Sequence, residues 1–219
     1  MSARQDVKDL VILTADGNAE HGVRALVGRG QALGTRAISA DFLVHPERDP
    51  GCLRRCHEFL RPQLDRYRHA LVVFDREGCG DERAATELEA EVETRLRSNG
   101  WEERAAVVVV DPEFDAWVWS PSPHVDAALG WTGRSPPLRE WLETEGLVAR
   151  GEMKPDRPKE AMERALEIAR RPRSSARYSE IGSKVSLVGC TDRAFVKFST
   201  TMKTWFAHDG RVDHEADLR

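Results

Sequence analysis

The chain is short of the features that mark several protein classes. No apolar run approaches the roughly 20 residues that span a bilayer, so no membrane segment is expected. The amino-terminal stretch MSARQDVKDLVILTADG is charged before it turns apolar. It lacks the long hydrophobic core and small-residue cleavage site of a secretory leader, and a cytoplasmic location is the expectation. Four cysteines in 219 residues build no disulfide framework. Cys52, Cys56 and His57 stand together, but no second Cys/His pair follows at ligand spacing, so no zinc module is expected. Cys79 has no histidine placed to activate it as a nucleophile. No GxxxxGK(S/T) loop occurs, which argues against ATP hydrolysis. Internal repeats and low-complexity blocks are absent too.

What is present suits one α/β domain with a core of ordinary size. Short apolar runs at 9–15 (DLVILTA), 69–75 (HALVVFD) and 105–110 (AAVVVV) read as strands, the last two buried on both faces. A weaker strand is expected at 35–41 (TRAISAD). Helices are expected between them, at 19–32 with Asn18 as cap, at 51–66 and at 81–98. The stripe Leu53, Cys56, Leu60 and Leu64 marks the second of these, and Ala84, Leu88, Val92 and Leu96 the third. Alternating strands and helices imply a four-stranded, mostly parallel sheet flanked by helices over residues 1–119. A helical extension over 120–206 is expected to pack on it, and 207–219 to form a polar tail. Within the extension, 157–170 is a helix with Ala161, Ala165 and Ile168 inward, and 172–177 is a loop. Residues 192–206 form an amphipathic helix with Phe195, Phe198, Met202, Trp205 and Phe206 on its apolar face. The tryptophans read as core rather than as base-stacking platforms.

The net charge of −4 excludes a basic coat protein but hides an uneven distribution. Residues 81–115 carry 11 acids against 4 arginines, and residues 153–206 carry 12 bases against 6 acids. Lys154, Arg157, Lys159, Arg170, Arg171, Arg173, Arg177 and Lys184 form a basic stretch able to follow a nucleic-acid backbone. A solvated helix face explains them equally well.

Ligands of open parallel sheets bind at the carboxyl ends of the strands. Three strand ends here deliver acids: Asp16 with Glu20 after the first, Asp75 with Glu77 after the third, and Glu113 after the fourth. Such acids also cap helices and form turns. Clustered, they would repel one another unless a divalent cation intervened, and oxygen-only ligation suits Mg²⁺ or Mn²⁺.

The order Asp16-Gly17-x-x-Glu20, then Asp75-x-Glu77, resembles the TOPRIM domain of topoisomerases, primases and OLD-type nucleases. Asp16 stands where that family has Glu, and Glu77 where it has the second Asp. Pro112-Glu113-Phe114-Asp115-Ala116-Trp117, the segment from Lys154-Pro155 to Glu160, and Asp192-Arg193-Ala194-Phe195 to Trp205 resemble stretches of small bacterial TOPRIM-like proteins of defence loci, methylation-associated systems included. The resemblance implies a Mg²⁺- or Mn²⁺-dependent nuclease of anti-phage defence. Asp16 and Asp75 would be primary ligands, and Glu20, Glu77 and Glu113 further ligands or water-orienting groups. Lys154 would neutralise phosphoryl charge, with Arg157, Lys159, Arg171, Arg173 and Arg177 on the nucleic acid. The alternative is a catalytically degenerate subunit that binds nucleic acid or protein partners in a defence complex. A phosphoesterase of nucleotides is a third reading.

Overall fold

The computed structural model describes residues 6–208. The chain runs β1 (Lys8–Thr14), α1 (Gly17–Val27), α2 (Gly30–Leu33), β2 (Ala40–Val44), α3 (Arg48–Leu60), β3 (Tyr67–Asp75), α4 (Ala85–Leu96) and β4 (Ala105–Val110). It continues through α5 (Pro123–Ala128), α6 (Leu138–Thr144), α7 (Pro158–Ala169), α8 (Ser175–Lys184) and α9 (Arg193–Phe206). The four strands form one all-parallel sheet in the order β2-β1-β3-β4, with Leu10 of β1 in register with Ala40 of β2 and His69 of β3. The α/β architecture is consistent with a TOPRIM-like fold. The expected tail contributes only Ala207 and His208, since residues 209–219 lie outside the described ones.

Side-chain alternation along the strands divides the core into two layers. Leu10, Ile12, Leu71, Val73, Val108 and Val110 face α1, α2 and the helical extension. Val11, Leu13, Val72, Phe74, Val107 and Val109 face α3 and α4. Each such side chain, once buried, contributes about 1.5–3 kcal/mol. The crossover α1 therefore covers one face of the sheet and α3 the other. That reversal creates a topological switch point between β1 and β3, where parallel sheets open a crevice beyond their carboxyl ends.

Several local expectations change. The second strand lies at Ala40–Val44 rather than 35–41. It is a half-exposed edge strand, so its apolar pattern is weak. The first helix breaks after Val27 and resumes at Gly30. Its cap is Asp16, which accepts a 2.8 Å hydrogen bond from the Ala19 N–H, and not Asn18. The helix expected at 51–66 runs 48–60, and the one at 81–98 runs 85–96 with Ala84 exposed at its cap. The loop expected through 177 gives way to α8 at Ser175. Ile168 is exposed, because Ala161, Met162, Ala165, Leu166 and Ala169 already define the inward face of α7. Trp119, Trp131 and Trp141 are buried in the first layer and Trp101 in the second.

Candidate functional site at the carboxyl end of the sheet

The switch point is furnished by the residues that follow β1 and end β3. Asp16 leaves β1 in extended backbone and caps α1, which fixes its carboxylate at the sheet's end. Asp75 closes β3 and accepts a 2.8 Å bond from the Phe114 N–H in the segment after β4. A third acid joins them that spacing did not announce. Asp49, in the first turn of α3, accepts a 2.8 Å bond from the Asp75 N–H. Burial pushes the Asp75 carboxyl well above the ordinary carboxylate range, and the nearby charge of Asp49 adds to this. The Phe114 N–H opposes the rise, while Asp115 and Asp16 reinforce it. Asp49 is raised as well, again chiefly by burial and with help from Asp16. Such shifts follow when acids share a poorly hydrated space without a cation to balance them.

Asp115 meets a different fate in the same neighbourhood. It is buried, and its carboxylate accepts two bonds from Arg173 at 3.0 and 3.1 Å and one from the Tyr178 hydroxyl at 2.7 Å. Arg173 is thereby held between the acidic end of the sheet and α8. The start of α8 is pinned to the start of α1 by a 2.9 Å bond from the Ser175 hydroxyl to Asn18 Oδ1. Farther along, α1 and α8 approach closely because Gly22 and Gly182 face each other across the contact. A Cβ on Gly182 would lie 3.1 Å from the Gly22 carbonyl, and one on Gly22 would lie 2.6 Å from the Phe114 ring.

The other expected site residues are dispersed. Glu20 is tied to Arg24 at 2.5 Å. Glu77 is exposed, with its N–H on the Pro112 carbonyl at 2.9 Å. Glu113 accepts a 2.9 Å bond from the Lys159 N–H at the start of α7, and burial raises its carboxyl. Lys154 donates to Asp192 at 2.8 Å. Burial pushes Asp192 upward, but the bonds from Lys154 and the Phe195 N–H outweigh it and hold the carboxyl below its ordinary value. Arg157 faces Glu160 at 3.4 Å, Arg177 faces Glu180 at 3.5 Å, and Arg171 is exposed with its stem against Gly130. Burial lifts the thiols of Cys52 and Cys56, the latter to about 12, and both lie inside the second layer.

Among the described residues, no group of three or more His, Cys, Asp or Glu side chains is placed to hold a metal ion. A ready-made cage is therefore not part of the site. The oxygen-only donors Asp75, Asp49 and Asp16 do match the chemistry of Mg²⁺, which keeps most of its waters and binds through one or two carboxylates plus a substrate phosphate. No helix among the described residues is long and apolar enough to cross a membrane. Comparison with family models, curated proteins and solved structures finds no match for the chain.

Proposed function

We propose that the chain acts on nucleic-acid phosphodiesters with the help of a divalent cation, as a nuclease-like protein. The observation that carries this reading is the placement of Asp16 and Asp75 on either side of the switch point, with Asp49 bonded to the Asp75 backbone. This is where parallel sheets bind ligands, and the raised carboxyls of Asp75 and Asp49 mark a place that a cation would stabilise. Asp75, with one of its neighbours Asp49 or Asp16, would hold Mg²⁺ or Mn²⁺, with water and a substrate phosphate completing the shell. When bound, the cation polarises a phosphodiester and makes water a better nucleophile. The chain's own part is to aim the carboxylates. The Phe114 N–H fixes one oxygen of Asp75, and the Ala19 N–H one oxygen of Asp16.

A second reading is a subunit that binds nucleic acid or a protein partner without cleaving. It is favoured by the lack of a three-ligand cage among the described residues and by the pairing of Lys154 with Asp192. One experiment separates the two. The protein and its Asp75→Asn variant are incubated with plasmid, single-stranded DNA, RNA and mononucleotides in Mg²⁺ or Mn²⁺, and cation binding is followed by calorimetry. Cleavage lost in the variant supports the enzyme. Cation binding without cleavage, weakened in the variant, supports the binding subunit. Equal cation binding by both proteins overturns the metal site.

A further inference from the structure

Behind the carboxylates lies a cavity of about 280 Å³ between α1, α8, the 185–192 loop and the start of α9. Its lining includes the aromatic residues Phe114, Trp117, Trp119, Tyr178 and Phe195. Two of these residues join it to the site described above. Phe114 lines the cavity while its N–H holds Asp75, and Tyr178 does likewise while its hydroxyl holds Asp115. The cavity and the acidic end of the sheet therefore share Phe114 and Tyr178 as connecting residues.

One end of the cavity is polar. Lys154 gives one of its three ammonium hydrogens to Asp192 and keeps two for a ligand. The Asp192 carboxylate also accepts from Trp117 Nε1 at 3.1 Å and the Phe195 N–H at 3.0 Å, which fixes its orientation. Ser120 lines the same cavity, but its hydroxyl is fully buried and finds no hydrogen-bond partner among the described residues. A hydrocarbon occupant would leave the remaining ammonium hydrogens of Lys154 facing apolar surface, which is unfavourable. A planar heteroaromatic ring satisfies both demands, because its faces stack on indole and phenyl walls while its edge carries donors and acceptors. The volume is at the small end of ligand pockets and suits a base or nucleoside rather than a longer unit.

We infer that this cavity is a nucleobase site, held by aromatic stacking and by Lys154 and Asp192 at the ring edge. Its assignment to a base of the phosphodiester substrate rests on the proposed function, but the occupancy itself does not. The test uses the full chain without divalent cation and follows tryptophan fluorescence, since Trp117 and Trp119 line the cavity. The protein is titrated with purine and pyrimidine nucleosides and, separately, with naphthalene. The expected result is saturable quenching by at least one nucleoside, about tenfold weaker in Lys154→Met, largely restored in Lys154→Arg and abolished in Leu187→Phe, which narrows the cavity from its loop. Because this titration contains no divalent cation, its outcome does not depend on cation binding by the carboxylates, so the two proposals succeed or fail separately. The inference is overturned if no nucleoside quenches, if Lys154→Met and Leu187→Phe bind like the unmodified chain, or if naphthalene binds more tightly than every nucleoside.

Discussion

Replacing Glu89 tests how the open edge of the sheet is closed. Strand β4 is terminal, so its outward N–H and C=O groups would invite another strand to pair. Two carboxylates one helical turn apart on α4 prevent this. Glu89 accepts from the Val109 N–H at 2.9 Å, and Glu93 from the Val107 N–H at 3.0 Å. Helix α9 supplies the counter-charges. Arg193 bridges both oxygens of Glu89 and donates to the Val109 carbonyl at 2.7 Å, while Lys197 reaches Glu89 at 3.1 Å and Glu93 at 2.8 Å. The Glu89 side chain is 4% exposed, Lys197 28% and Arg193 42%.

These exposures set the magnitude. In Glu89→Ala the buried Val109 N–H loses its acceptor, at a cost of about 1–3 kcal/mol. Lys197 keeps Glu93, and Arg193 turns toward water, so the lost ion pairs add only about 0–1 kcal/mol. The total, about 1–4 kcal/mol, is a large share of the ~5–15 kcal/mol that keeps a domain folded. Glu89→Gln keeps an acceptor for Val109 and should cost about half as much. Urea denaturation at neutral pH measures both, and light scattering should show self-association of the alanine variant through the bared edge. Equal losses in the two variants, or a loss below about 1 kcal/mol in Glu89→Ala, would refute the view that the carboxylate seals the strand.

Three further outcomes are expected. Asp75→Asn should become more stable relative to the unmodified chain as pH rises, because folded Asp75 retains a proton that the unfolded chain has released. Between the ordinary carboxylate value and the raised folded one, this costs the unmodified chain about 1.4 kcal/mol per pH unit, and parallel urea midpoints across that window would contradict it. Gly22→Ala should lower the melting temperature, since the new methyl would sit 2.6 Å from the Phe114 ring. The clash costs about 1–3 kcal/mol against a helix-propensity gain of at most ~1 kcal/mol, and an unchanged or raised melting temperature would count against that packing. Tyr178→Phe should lose about 1–2 kcal/mol in urea denaturation by removing one donor from buried Asp115, and a neutral effect would show that Arg173 alone satisfies it.

The sheet was largely legible because β3 and β4 are buried on both faces and carry unbroken apolar runs. The edge strand β2 was not, since ADFLV is half exposed and its register is fixed by β1 rather than by its own pattern. Helix α8 carries little apolar signal, because only Tyr178, Ile181 and Gly182 of its ten residues are buried. The site was half legible. Acids after strands β1 and β3 are visible in any αβ alternation, so Asp16 and Asp75 could be named. Asp49 could not, because its role depends on α3 beginning beside the end of β3. The same dependence explains why Glu77, one residue past Arg76, points to solvent. Beyond the strand, sequence spacing no longer dictates direction.

The charge pattern carries the last step. The acid-rich 81–115 segment and the base-rich 153–206 segment look like a metal site and a polyanion track when taken separately. In the fold they meet in part, through Glu89 and Glu93 with Arg193 and Lys197, and through Asp115 with Arg173. Arg164, Arg177 and Lys184 face glutamates as well. Among the described residues, Lys159, Arg170, Arg171 and Lys203 are the bases of that segment without an ion pair. Lys159 opens α7, whereas Arg170 and Arg171 follow its last residue, so they do not form one continuous track. A polyanion held by so few cations would show a shallow dependence of affinity on salt. Under the proposed function, this segment would contribute little electrostatic affinity, and the proposed base site would have to contribute more.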